Sequence, residues 1–152
     1  MLNNIWLATT GTVLIYGAVN TMIRGWQEVN EALSLPPVVF VVIAGATFSF
    51  AWIFYRMTVS GVVPQMLPTT IQQLSANQRL TLQGRLQSCF IVCCVLLGAP
   101  AIYGLVSTAT AAPSPHLFEW LATGSLLGLG LFRMKGFPVL FDLMRKLEPG
   151  TS

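Results

Sequence analysis

The chain has 152 residues, of which 54% are hydrophobic and only 9% charged, with a net charge of +3 and a pI near 9.0. A soluble domain carries about 25% charged residues, so a chain this poor in charge cannot cover its surface against water and must use lipid as solvent for much of it. The basic balance does not mark a nucleic-acid binder, because the cations sit at the ends of apolar stretches and form no patch with interleaved aromatics.

Four stretches almost free of charge run at about Leu2–Ile23, Pro36–Tyr55, Leu86–Thr108 and His116–Phe132. Each is close to the ~20 residues a helix needs to cross the hydrocarbon core. The predicted fold is an all-α integral membrane protein, with a four-helix transmembrane domain over 1–135, built as two hairpins, and an amphipathic tail over 136–152. The first stretch has no basic n-region and no small-residue cleavage site, so it reads as a retained helix in a chain that begins at or near Met1. It is the most polar span. Thr9, Thr12, Tyr16 and Asn20 fall near one face, a stripe better suited to bonding a neighbouring helix than to an ion path.

Span one ends at Arg24, and Pro36-Pro37 suit the first turn of span two. Gly45 and Ser49 make a small-xxx-small pair there, of the kind that lets helix backbones approach. Trp52, Phe54 and Tyr55 close the span as an interfacial belt, followed by Arg56. From Met57 to Arg85 the chain reads as a polar loop interrupted by Pro64 and Pro68, with Thr69-Thr70 placed to cap a helix from Ile71 that either lies on the membrane surface or runs straight into span three. Span three carries Cys89, Cys93 and Cys94, read as soft packing residues, and Pro100, which predicts a bend.

Span four opens with His116 and Glu119, the only ionisable side chains inside the four spans. Glu119 is expected at the weakly charged end of the bundle, in contact with Arg24. Gly124 and Gly128 form a GxxxG packing motif. Beyond Gly136 and Pro138, Leu140, Leu143, Met144 and Leu147 share one helical face, with Asp142, Arg145 and Lys146 elsewhere. That helix is too short to span and is expected to lie in the interface or dock on a partner.

Four spans place Arg56, Arg79, Arg85, Arg133, Lys135, Arg145 and Lys146 on one side and only Arg24 on the other. The bias puts both termini on the matrix or cytoplasmic side of a mitochondrial or bacterial inner membrane.

An internal echo accompanies this plan. Ile15-Tyr16-Gly17-Ala18-Val19 recurs as Ile102-Tyr103-Gly104-Leu105-Val106, Gly11 matches Gly98, and Phe54-Tyr55-Arg56-Met57 matches Leu131-Phe132-Arg133-Met134. The order suggests a duplicated hairpin. The stretch Ala101–Val106 resembles part of the proteolipid subunit of rotary vacuolar-type ATPases, itself a family of duplicated hairpins. The likeness is confined to that stretch. The family implies a carboxylate deep in a membrane helix, and here spans one to three contain no acid, so no residue role carries over.

The sequence shows no nucleophile beside a histidine, no paired acids, no glycine-rich phosphate loop and no metal-ligand spacing. Two functional readings follow. One is a non-catalytic structural or accessory subunit of a multi-subunit membrane complex of respiratory, ATP-synthase or photosynthetic type. The alternative is a small oligomeric transporter or channel using Glu119, Pro100 and the threonine stripe. The expected partners are other membrane subunits and the bilayer, not nucleic acid; no cofactor is identifiable, and structural lipid is expected.

Overall fold

In the computed structural model the described residues are 2–26, 36–66, 74–110 and 116–147, with the side chains of 23–26, 37, 66, 109 and 110 outside that set. Among them the fold is all-helical, without a strand. Helix α1 spans Leu2–Trp26 and α2 spans Pro37–Val62, running into a 3-10 turn at Val63–Met66. Helix α3 spans Ala76–Thr110, α4 Leu117–Leu131 and, after a π-helical turn at Phe132–Gly136, α5 covers Phe137–Leu147. Two segments are long and apolar enough to cross a membrane, Val38–Gln65 and Ala76–Thr108.

The polar stretch expected as a loop from Met57 to Arg85 is mostly helix. No residue from Met57 to Val63 breaks the α2 pattern, and Pro64 falls in the 3-10 turn that ends it. Helix α3 starts ten residues before Leu86, behind a capping box. There the Gln78 side chain accepts the Ser75 N–H at 2.9 Å and the Ser75 hydroxyl accepts the Gln78 N–H at 3.3 Å. The expected cap at Thr69-Thr70 and start at Ile71 lie outside the described residues.

The amphipathic helix expected to start afresh at Pro138 does not start there. Helices α4 and α5 follow one another without a gap through the π turn. A proline inside a helix removes a donor and collides with the carbonyl four residues back, here that of Met134. The wider π turn just before Pro138 relieves this collision, with the Phe137 N–H donating to the Phe132 carbonyl. Gly136 is required in that turn, because a Cβ there would lie 2.5 Å from the Phe132 ring.

Helix α3 is the centre of the bundle, packed by α1, α2, α4 and α5. Helices α3 and α4 form a closely packed hairpin, but α1 and α2 do not pair with each other: α2 lies on α3, and α1 lies against α3 and α4. The first of the two expected hairpins is therefore split by α3. The reason lies in the seam of α1, where Leu2, Trp6, Thr9, Val13, Tyr16 and Asn20 turn inward at alternating spacings of four and three. The repeat partners also differ in packing. Gly98 and Gly104 lie in close contact with neighbouring helices, whereas Gly11 and Gly17 face open space.

Cross-contacts set the register. Thr9 of α1 meets Gly98, so α1 begins at about the level of Ile91 on α3. Cys93 donates its S–H to the Ala51 carbonyl at 3.6 Å, and Phe90 meets Phe137 edge-on at 5.5 Å. Below that level the end of α2, the start of α3 and all of α5 continue as a three-helix cap without α1. Its core holds Val62, Leu82, Leu86, Leu140, Leu143, Met144 and Leu147.

Candidate functional site

Helix α5 is where the structure departs most from expectation. Leu140, Leu143, Met144 and Leu147, read as a face for lipid or a partner, are all buried inside the chain, Leu140 at 0% exposure. The π turn carries α4 into α5 without a gap, and the apolar face of α5 meets α3 and the end of α2. The face left outside is mixed, with Val139 and Phe141 exposed beside Asp142, Arg145 and Lys146. Lys146 pairs with Asp142 at 2.8 Å, and Arg145 is also exposed. Such an exposed (i, i+4) pair contributes only about 0.3–0.5 kcal/mol.

At the opposite end Glu119 binds His116, with Nδ1 and Oε2 2.7 Å apart and both side chains largely exposed. An acid in the first turn also suits the positive end of the helix dipole. The expected Glu119–Arg24 contact lies outside the described residues, because the Arg24 side chain is among those not described. His116 stands one turn from Glu119 and was the partner visible from spacing alone.

The two small-residue motifs divide. Gly124 and Gly128 face Phe48 of α2, and a Cβ on Gly128 would lie 2.7 Å from the Phe48 ring and 3.3 Å from Leu97. Gly45 and Ser49 instead point outward: nothing lies within 4 Å of a Cβ on Gly45, and the Ser49 hydroxyl donates back to the Gly45 carbonyl at 2.9 Å. The tightest backbone approach is at Gly104, where a Cβ would stand 3.0 Å from the Phe118 Cα. That contact joins α3 to the first turn of α4 and was not identified from sequence as a packing position.

Pro100 has a partner across the interface. The buried Ser125 hydroxyl accepts the Ala101 N–H at 3.1 Å, so α4 satisfies a backbone donor beside the proline. The threonines of α1 bond their own helix: Thr9, Thr10 and Thr12 donate to Ile5, Trp6 and Ala8 carbonyls at 2.8–2.9 Å. Thr9 and Asn20 lie on the packed seam, while Thr12 faces outward. The three cysteines are buried free thiols, and among the described residues no group of His, Cys, Asp and Glu is arranged to hold a metal.

A cluster that sequence reasoning missed joins α1 to the π turn. The Trp6 indole N–H donates to the Leu129 carbonyl at 3.1 Å. The Arg133 guanidinium lies 4.0 Å from the Phe137 ring centroid and 5.6 Å from that of Trp6. Held between two rings, the half-buried cation keeps an electrostatic partner. From Phe137 an aromatic chain runs through Phe90, Phe132 and Tyr55 to Trp52, with centroids 5.5–5.8 Å apart. The separate signals were legible, an aromatic belt and a terminal arginine, but their meeting depends on α1 lying against α4. No protein-family model matches this chain, and no curated protein or solved structure is significantly similar to it.

Proposed function

We propose that this chain is a non-catalytic structural subunit of a multi-subunit membrane assembly. In this reading its helices cross the bilayer four times, with both termini and the three-helix cap on the Arg/Lys-rich side. The observation that carries the reading is the contrast between a filled interior and an apolar exterior. Large hydrophobic side chains stand exposed along α1 (Leu7, Leu14, Ile15, Met22), α2 (Val38, Val42, Phe50, Ile53) and α4 (Trp120, Leu127). An apolar surface this extensive belongs against lipid or other membrane helices. The interior is closed by Phe90, Phe132, Leu129 and the three cysteines.

The dimensions agree. Helix α3, with 35 residues, is roughly 52 Å long at 1.5 Å per residue, against a hydrocarbon core of about 30 Å. Placing that core between the levels of Arg56 and Thr108 leaves the cap in the headgroup region and beyond. Positive-inside bias then assigns the cap to the cytoplasmic or matrix face of an inner membrane. The transporter reading is weaker, because hydroxyls committed to their own backbone make a poor water path. Purification from native membranes in a gentle detergent tests the proposal. Stoichiometric foreign membrane subunits support it, and a pure homo-oligomer supports the transporter instead.

A further inference from the structure

The cap carries a polar cleft that the packing of the bundle does not use. It has a volume of about 280 Å³ and lies between the end of α2 and the first turns of α3. Its polar lining is Gln65, Asn77, Gln78, Thr81 and Arg85, all exposed, over a floor that includes Leu82. Among the described residues no carboxylate lines it. The two described acids are placed elsewhere, Glu119 beside His116 and Asp142 beside Lys146.

The hydrogen bonds already made define what remains on offer. Gln78 uses its carbonyl oxygen on the Ser75 N–H, which leaves its amide N–H groups as donors. Thr81 donates its hydroxyl to the Asn77 carbonyl and Gln65 donates to the Gly61 carbonyl, which leaves oxygen acceptors on both side chains. Arg85 adds a guanidinium fork, the group best matched to phosphate oxygens. Donors with a cation suit a phosphate, and neighbouring oxygen acceptors suit hydroxyl groups. Arg85 also stands near the headgroup level when the core boundary is set by Arg56.

We propose that this cleft binds the headgroup of an anionic phospholipid with a polyol head, such as phosphatidylglycerol. In that pose Arg85 holds the phosphodiester, Asn77 and Gln78 donate to its free oxygens, and Gln65 and Thr81 accept from the polyol hydroxyls. The proposal rests on the membrane reading above.

The test is lipid retention by the purified full chain in native mass spectrometry, with phosphatidylglycerol, phosphatidylserine and phosphatidylcholine added in turn. Phosphatidylglycerol should be retained best and phosphatidylcholine least. R85Q should lower phosphatidylglycerol retention by about tenfold or more, as expected for a lost hydrogen bond between charged groups. N77A should lower it less, and R56Q, at an exposed arginine that does not line the cleft, should leave it unchanged. Equal retention of all three lipids, no effect of R85Q, or an equal effect of R56Q overturns the site. Displacement of the lipid by soluble glycerol 3-phosphate at comparable concentration overturns the lipid as its source. Alkaline carbonate extraction of cell membranes separates the two levels. A chain released by carbonate refutes the membrane reading and the lipid site with it, whereas a retained chain whose R85Q variant binds normally refutes the site alone.

Discussion

Replacing Ser125 by alanine should expose the role of Pro100 more clearly than any change at Pro100 itself. The Ser125 side chain is fully buried, and its hydroxyl accepts the Ala101 N–H at 3.1 Å. Alanine removes one oxygen and leaves the packing nearly intact, so the lost bond dominates. A buried donor left without its partner costs about 1–3 kcal/mol, while hydrogen bonds between membrane helices average about 0.6 kcal/mol and reach about 1.7. We expect S125A to cost about 1 kcal/mol. In a P100A background the ring that opens the helix at this turn is gone, so we expect the Ala101 amide to lean on its own helix and the serine to matter less. The same S125A change should then cost only a few tenths of a kcal/mol, giving a coupling of about 0.5–1 kcal/mol. Reversible unfolding in mixed micelles, measured for the four proteins of the cycle, provides these values. Equal costs of S125A in both backgrounds would refute the assignment of Ser125 as partner to the proline-adjacent amide.

Other substitutions probe the packing independently. G104A should destabilise by about 1–3 kcal/mol through overpacking against the Phe118 backbone, whereas G45A, which meets open space, should stabilise by up to about 1 kcal/mol through helix propensity; thermal unfolding of both reads the contrast, and matching signs would contradict it. L140A should cost about 2–5 kcal/mol as a cavity in the cap and should speed amide hydrogen exchange in α5, while a flat exchange profile would mean α5 is not docked. W6F keeps a ring near Arg133 but removes the indole donor to Leu129, so it should cost about 0.5–1.5 kcal/mol in thermal unfolding, and no loss would mean the indole bond is not made.

Helix content and the apolar character of the chain were legible in composition and periodicity. The Gly124–Gly128 pair was legible as a pair of small residues one turn apart. What the sequence did not disclose depends on relations between helices. The Gly45–Ser49 motif has the same spacing but faces outward, and no local signal distinguishes the two. Pro138 reads as the start of a separate helix, yet a π turn absorbs it, because α5 recovers burial on α3 that a break would forfeit. The amphipathic face of α5 was read correctly as a pattern, but a pattern does not say whether the covering surface is lipid, a partner or the same chain. Arg133 between Trp6 and Phe137 required knowing that α1 skips α2 to pack on α4.

Four membrane crossings, with the cap on one side, are most directly tested by sided cysteine labelling in sealed membrane vesicles. The native Cys89, Cys93 and Cys94 are at most 1% exposed and should stay silent. Single cysteines at Ser60 and Thr151 should react with an impermeant maleimide from one side, and cysteines at Pro36 and His116 from the other. Labelling of Ser60 and His116 from the same side would contradict the four-crossing arrangement.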